Sequence, residues 1–488
     1  MSGEDRARWM ALAVVCAGSL MNVLDTTIVG VALPAIKLDL GFSQASLAWV
    51  VNAYLLTFGG FLLLGGRLGD LFGHRRLFTA GITVFTLASL ACGLSGGQGF
   101  LLAARAVQGL GGAVSSAVAL SLIVSLFPEP AQRARAMGVF GFVAAGGGSI
   151  GVLLGGVLTS LLSWHWIFLV NVPIGGAVCL ASLRVLPAGP AVRGRGRLDV
   201  AGAVLVTAAV MLAVYAIVTA GQAGWMSPRT GGTLAGAAAL LAAFAAAEAR
   251  TAWPLVPLRL FRLRNLTTAS VTGVLWAAAM FAWFFLTALY LQLVLGYSAL
   301  RTGLAFLPAN LVMGALSAGL AAQLVNRFGI RTSAAAGLLL AAAGLLLLAR
   351  APAGGQFLPD ILPGMLLLGA GAGIALPPVL LAATGDSPPD QAGLASGLVN
   401  TSFMLGGALG LAVLASIAAT RTRHLAAAGH TQLAALTGGY HCAFLAGAAC
   451  AALAALLAAG LLRPAAIRPG GVTTATAAGE PTLTGSKA

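Results

Sequence analysis

The run MALAVVCAGSLMNVLDTTIVGVAL, residues 10–33, carries a single charged side chain, Asp25. A helix of that length reaches about 36 Å, enough to cross a hydrocarbon layer about 30 Å thick. Working outward from it, further apolar runs fall at 47–66, 77–96, 99–127, 136–160, 165–186, 199–220, 231–248, 267–294, 303–325, 332–349, 360–383, 392–418 and 440–462. None shows the period-two alternation of a membrane barrel, and lipid cannot hydrate open backbone groups, so the spans are expected to be helices. The chain's 488 residues are 59% hydrophobic and 8% charged, whereas soluble domains carry about 25% charged residues. The expected class is an all-α membrane protein with fourteen transmembrane helices.

An even number of spans puts both termini on one side, and the distribution of cations says which. With the N-terminus inside, cytoplasmic segments hold 20 of the 27 Lys and Arg residues, from Arg6 to Lys487. The opposite side holds Lys37, Arg229, Arg301, Arg350, Arg421 and Arg423, and Arg105 lies within a span. The cation count therefore puts both termini on the cytoplasmic side, and the location expected for this multi-pass chain is a bacterial plasma (inner) membrane.

The formal charge of +15 does not point to nucleic acid, because the basic residues sit in short loops rather than on one water-facing surface. Cys16, Cys92, Cys179, Cys442 and Cys450 all lie in apolar runs and read as packing residues. His424, His430 and His441 have no zinc-ligand spacing, so no metal is expected. No glycine-rich segment ends in Gly-Lys-Ser/Thr, which argues against ATP as the energy source, and no nucleophile elbow suggests a catalytic residue.

Two loops match each other. Leu68-Gly69-Asp70-Leu71-Phe72-Gly73-His74-Arg75 and Leu324-Val325-Asn326-Arg327-Phe328-Gly329-Ile330-Arg331 both fit Leu-x-Asp/Asn-x-x-Gly-x-Arg. With the seventh and eighth spans set aside, each loop follows the second helix of a six-helix unit, as a duplicated transporter would place it. The expected order is a cytoplasmic N-terminus (1–9), a six-helix bundle (10–186) and a basic cytoplasmic linker (187–198). Two inserted helices (199–248), a second linker (249–266), a second six-helix bundle (267–462) and a disordered cytoplasmic tail (463–488) follow.

On these residues the chain resembles the major facilitator superfamily, and within it the fourteen-helix drug:proton antiporter branch. Leu24-Asp25-Thr26-Thr27-Ile28-Val29-Gly30-Val31-Ala32-Leu33-Pro34 looks like that branch's first-helix signature, and Gly66 to Arg76 like the superfamily's loop between helices 2 and 3. Arg105, Gln108 and Gly109 are similar to the fourth-helix motif; Trp164 to Phe168 with Asn171 to Gly175 match the start of helix 6. Gly393 to Gly410, with Asn400, resembles the thirteenth helix. Gly147, Gly151, Gly155 and Gly156 follow the fifth-helix pattern, but Val152 stands where that pattern has proline. The resemblance implies proton antiport by alternating access, with the proton gradient as energy source and no cofactor.

Asp25 is the one acidic residue well inside a span. A carboxylate there costs about 2.5–3.5 kcal/mol on insertion scales, so it is a functional candidate by default. Asp25 lies about 13 Å and Arg105 about 9 Å from the outer ends of their helices, and both are expected to face a central cavity at similar depth. Desolvation favours the neutral carboxyl and a guanidinium favours the charged one; a balance lets the group load and release a proton. A purely structural ion pair is the alternative. Gly66, Asp70, Gly73, Arg75 and Arg76 are expected to form a cytoplasmic latch across the bundle seam, or else a solvated topogenic loop.

Trp276, Phe281, Trp283, Phe284, Tyr290 and Gln292, with Asn310 and Asn400, are candidates for a substrate pocket, although packing and interfacial anchoring compete for each aromatic. No second buried anion is available for a dication. The function expected is export of small hydrophobic, neutral or monocationic compounds, as in drug or antibiotic efflux. The partners are the lipid bilayer, protons and that substrate, with the chain acting as a monomer. Transport of a hydrophilic metabolite, or a structural or sensory membrane role without flux, are the rival readings.

Overall fold

The computed structural model describes residues 3–43, 46–187, 199–224, 226–251, 254, 258–385 and 392–463. Long apolar runs that pair their own backbone groups become helices throughout, and the described residues contain no strand. The first six runs give α1 (Gly3–Leu40), α2 (Trp49–Phe72), α3 (His74–Gly93), α4 (Gln98–Leu126), α5 (Pro130–Leu161), one turn α6 (Trp166–Leu169) and α7 (Asn171–Val185). Then come α8 (Val200–Ala223), α9 (Pro228–Arg250), α10 (Arg264–Leu289), α11 (Ala299–Ala315), α12 (Ala321–Leu348), α13 (Leu362–Gly385), α14 (Ala392–Ala427) and α15 (Gln432–Leu461). Several starts are capped by short polar side chains: Asp199 accepts the Gly202 N–H at 2.7 Å, and Ser298 accepts that of Arg301 at 3.2 Å.

Among the described residues thirteen helices are long and apolar enough to cross a membrane. A further candidate is α11, which runs through a π-helical turn (Leu316–Leu320) into α12 without a loop. The break in this region comes later, at Gly329, whose φ of 82° is non-helical. Gly73, at the matching place between α2 and α3, has φ 91°. Only glycine takes such angles without strain, so the two similar loop sequences make the same kind of turn. Several helices outrun their apolar runs: α1 extends to Leu40 past Lys37, and α14 carries Arg421, Arg423 and His424 in helix rather than loop. The linker at 187–198 and the tail at 463–488 lie outside the described residues, except for 187 and 463, as do 252, 253 and 255–257 of the second linker.

The packing repeats. In the first set α1 lies on α5, α2 and α3 lie on α4, and α7 lies on α3 and α1. In the second, α10 lies on α14, α11 and α12 lie on α13, and α15 lies on α12 and α10. The close contact between Gly81 of α3 and Gly111 of α4 is matched by Gly337 of α12 and Gly371 of α13. The sets meet through α5 with α11 and α2 with α14, an exchange-symmetric pair of seams. Beside these, α8 rests on α2 and α14, and α9 rests on α8.

Candidate functional site

Asp25 sits mid-way along α1 with 0% exposure, and Arg105 of α4 is 1% exposed. Arg105 Nη1 donates to Asp25 Oδ2 at 2.5 Å and to Gln108 Oε1 at 2.6 Å; its Nε donates to the Val50 carbonyl at 3.0 Å. Gln108 Nε2 donates to Asp25 Oδ1 at 2.7 Å and to Ser89 Oγ at 2.6 Å. Asn171, opening α7, donates to Asp25 Oδ1 at 3.5 Å and to Ser89 Oγ at 3.2 Å. The Tyr54 ring of α2 lies 4.6 Å from the guanidinium carbon of Arg105. One carboxylate is thus satisfied by α4 and α7, with α2 and α3 closing around it. Burying such a charge is tolerable only with this degree of pairing.

A separate cavity of about 490 Å³ lies between α1, α5, α10, α11, α13 and α14. Its aromatic wall includes Trp276, Phe281 and Phe284 of α10, Phe306 of α11 and Phe403 of α14; Phe284 stacks on Phe306 at 5.5 Å. Polar groups are few: Thr26, Thr27, Asn310, Ser317 and the Trp276 indole. None of its described lining residues is ionisable. A cavity of this size and lining suits a compact apolar molecule.

The family follows from the chain as a whole, because the sequence model described as Major Facilitator Superfamily matches residues 15–411. The chain belongs to the major facilitator superfamily. As a superfamily transporter it is 42% identical over 416 residues to the cephamycin export protein of Amycolatopsis lactamdurans, covering 84% of this chain and 85% of that protein. It is 40% identical to the puromycin resistance protein of Streptomyces alboniger, over 90% of this chain and 88% of that one. The tetracenomycin C resistance and export protein of Streptomyces glaucescens is 36% identical, over 86% and 78%. The fold is shared with a bacterial homologue of the lysosomal transporter Spinster, with a TM-score of 0.62 at 18% identity, over 93% of this chain and 96% of that one.

Several expected placements need correction for this superfamily member. Asp25 and Arg105 meet, but neither lines the cavity. The cavity takes Val23, Thr26, Thr27 and Gly30 of α1; at about 100° per residue Asp25 projects from the opposite face. Trp276, Phe281, Phe284 and Asn310 do line the cavity, while Trp283, Tyr290, Gln292 and Asn400 do not. Trp283 packs behind Phe284 with its ring tilted 39° and the centroids 4.4 Å apart, and Tyr290 Oη donates to the Pro352 carbonyl at 2.6 Å. Gln292 Nε2 instead donates to the Val31 carbonyl at 3.0 Å, joining the two helix sets where α1 nears its end. Nearby the Leu300 N–H donates to Ser160 Oγ at 3.0 Å.

The expected latch is also different. Arg75 donates to the Leu183 carbonyl of α7, which belongs to its own helix set rather than to the other side of the seam. Arg67 reaches the Pro254 carbonyl at 3.2 Å. Arg76 is exposed, a Cβ at Gly66 would meet open space, and the side chain of Asp70 lies outside the described residues. The α5 glycines are packing positions: Cβ atoms at Gly147, Gly151 and Gly155 would collide with α1, and one at Gly156 would lie 2.7 Å from the Ala299 carbonyl oxygen. A Cβ at Gly109 of α4 would lie 2.4 Å from the Tyr54 carbonyl oxygen, so that motif glycine seats α4 on α2. With Val152 in place of proline, α5 runs as one helix from Pro130 to Leu161. Asn22, Ser89, Tyr54, Phe306 and Phe403 were not among the expected site residues. Asn22 was accessible to helix spacing, three positions before Asp25.

Proposed function

We propose that this transporter exports small hydrophobic, neutral or monocationic compounds by proton antiport, as a fourteen-helix member of the drug:proton antiporter branch. The observation that carries the reading is the two-faced character of α1. One face holds the buried Asp25 within the Arg105, Gln108 and Asn171 network; the other face supplies Thr26, Thr27 and Gly30 to a cavity with no ionisable group among its described lining residues. In this scheme a proton on Asp25 removes the charge that Arg105 binds, which loosens α1 from α4. The shift of α1 changes the cavity wall on its other side and the contacts near Gln292 and Ser160. Coupling is therefore mechanical, through the helix, rather than competition for one cavity.

The remaining assignments belong to the same proposal: cytoplasmic termini, two six-helix bundles with α8 and α9 inserted, function as a monomer, and no cofactor beyond the proton gradient. A potential of 100 mV does about 2.3 kcal/mol of work per charge moved, which supports roughly fiftyfold accumulation if one net charge is coupled. Puromycin is a suitable first probe because a 40% identical relative is a puromycin resistance protein. In everted vesicles, puromycin should release protons from the wild type, and Asp25→Asn should abolish both this release and accumulation. Accumulation that survives Asp25→Asn, or ignores an uncoupler, would falsify proton antiport at this residue.

A further inference from the structure

The Asp25 network leaves a problem for any proton-coupled scheme, since its carboxylate is 0% exposed and turned away from the cavity. A polar seam leads out of it. On α4, Arg105, Gln108, Gly112 and Ser115 recur at helical spacing on one face, extending about 10 Å beyond Gln108 toward the N-terminal end of α1. On α1, Asn22 lies one turn before Asp25; its Nδ2 donates to Ser115 Oγ at 3.1 Å and to Ser116 Oγ at 2.9 Å. Ser115 Oγ in turn donates to the Gly112 carbonyl at 3.1 Å. A Cβ at Gly112 would lie 2.9 Å from Tyr54 Oη, so this glycine opens the space into which the phenol points.

Two oxygens along this seam are buried without a hydrogen-bond partner among the described residues: Tyr54 Oη and Asn22 Oδ1. Their residues are 1% and 5% exposed. Native interiors rarely leave such atoms unpaired, and polar gaps of this kind are where buried water is held. The seam begins at the carboxylate and ends at Ser116, which is only half-buried.

We propose that this seam between α1, α2 and α4 is the route by which the Asp25 proton leaves toward the N-terminal end of α1, with water held on Tyr54 Oη and Asn22 Oδ1. The inference rests on the antiport reading above. The O–H bond of the Asp25 carboxyl breaks as an O–H bond forms on the adjoining water, and a proton of that water passes to the next. Asp25 is left as the carboxylate bound by Arg105, and one proton enters bulk water beyond Ser116; no oxidation or carbon chemistry is involved. Among the described residues, the ionisable groups around Asp25 are Arg105 from α4, Tyr54 from α2 and Cys92 from α3. From α7 it meets the neutral Asn171.

The test follows the Asp25 carboxyl band by infrared spectroscopy after a pH jump, using the full chain in lipid nanodiscs and assigning the band by its loss in Asp25→Asn. Protons are the only probe required. Tyr54→Phe keeps the ring over Arg105 and should slow the band's response about threefold. Asn22→Leu combined with Tyr54→Phe should slow it at least tenfold, and Asn22→Ser should restore a rate near that of the wild type. If the double variant does not fold, Tyr54→Phe alone decides. Wild-type rates in Tyr54→Phe and Asn22→Leu overturn the route while leaving antiport at Asp25 intact. An Asp25 band that never responds to pH overturns both.

Discussion

In the first helix set α5 presses Gly147, Gly151 and Gly155 onto α1; in the second, α14 presses Gly406, Gly407 and Gly410 onto α10. The scaffold is the same in both, and the chemistry differs. The first set encloses a carboxylate, a guanidinium and the amides of Gln108 and Asn171. The second turns Trp276, Phe281, Phe284, Phe306 and Phe403 toward the cavity. A repeated packing frame therefore tolerates opposite contents, because close backbone approach at glycine supplies the association energy in lipid whatever the remaining faces carry. One set encloses a charge, and the other supplies the aromatic wall of the cavity.

The sharpest way to break this comparison is to unpair the charge. Arg105→Ala leaves Asp25 buried without its cation and the Val50 carbonyl without its donor, and removing one partner of such a pair costs about 3–5 kcal/mol. Unfolding of the purified protein in mixed micelles should show that loss, and Arg105→Ala with Asp25→Asn should recover most of it. A double variant no more stable than the single one would mean that the pair does not organise the first set.

Next in size is a comparison of the two glycine seams. A Cβ at Gly410 would lie 2.0 Å from Ala278 Cβ and 2.4 Å from its Cα, whereas one at Gly151 would lie 2.0 Å from Thr27 Oγ1. The threonine hydroxyl can rotate and the alanine cannot, so Gly410→Ala should cost more than Gly151→Ala, within the roughly 1–3 kcal/mol typical of overpacking. Equal losses in the same unfolding assay would show that the α1–α5 seam is as rigid as the α10–α14 seam.

Much of this frame was legible beforehand for a plain reason: apolar length reports a crossing, and a positive-φ glycine keeps its place in a repeated loop. Depth alone set Asp25 and Arg105 at a similar distance from the same surface; the direct ion pair between them is seen only in the structure. Depth carries no rotation, however, and so the face on which Asp25 projects was misjudged; the helical phase of Thr26, Thr27 and Gly30 held that information. The aromatic density of α10 marked Trp276, Phe281 and Phe284, but it could not separate them from Trp283, which packs behind Phe284 and Phe306. Tyr54 and Ser89 come from α2 and α3, and nothing local in either helix announces that Tyr54 will lie against Arg105 or that Ser89 will bond Gln108 and Asn171.

The cavity wall gives a third, smaller effect. Phe284→Ala removes a ring stacked on Phe306 and should weaken binding of a neutral aromatic probe about tenfold, roughly 1.4 kcal/mol. Equilibrium binding to the detergent-solubilised protein measures it. The pH dependence of transport should keep its midpoint, because the substitution lies on the far side of α1 from Asp25. A shifted midpoint would show that the two sets do not divide the work.

The smallest expected effect has the most to say about the second set. Asn310 is 2% exposed and its Oδ1 has no partner among the described residues. An unpaired buried polar atom contributes nothing to stability and costs its desolvation, so Asn310→Leu should change unfolding stability by no more than about 0.5 kcal/mol, or raise it slightly. Gln108→Leu is the control from the first set, where the lost amide bonds both Asp25 and Arg105 and its removal leaves charged groups short of partners. If Asn310→Leu proved more costly than Gln108→Leu, the second set would hold a polar network of its own beside the cavity. The division of charge to one set and apolar surface to the other would then have to be redrawn.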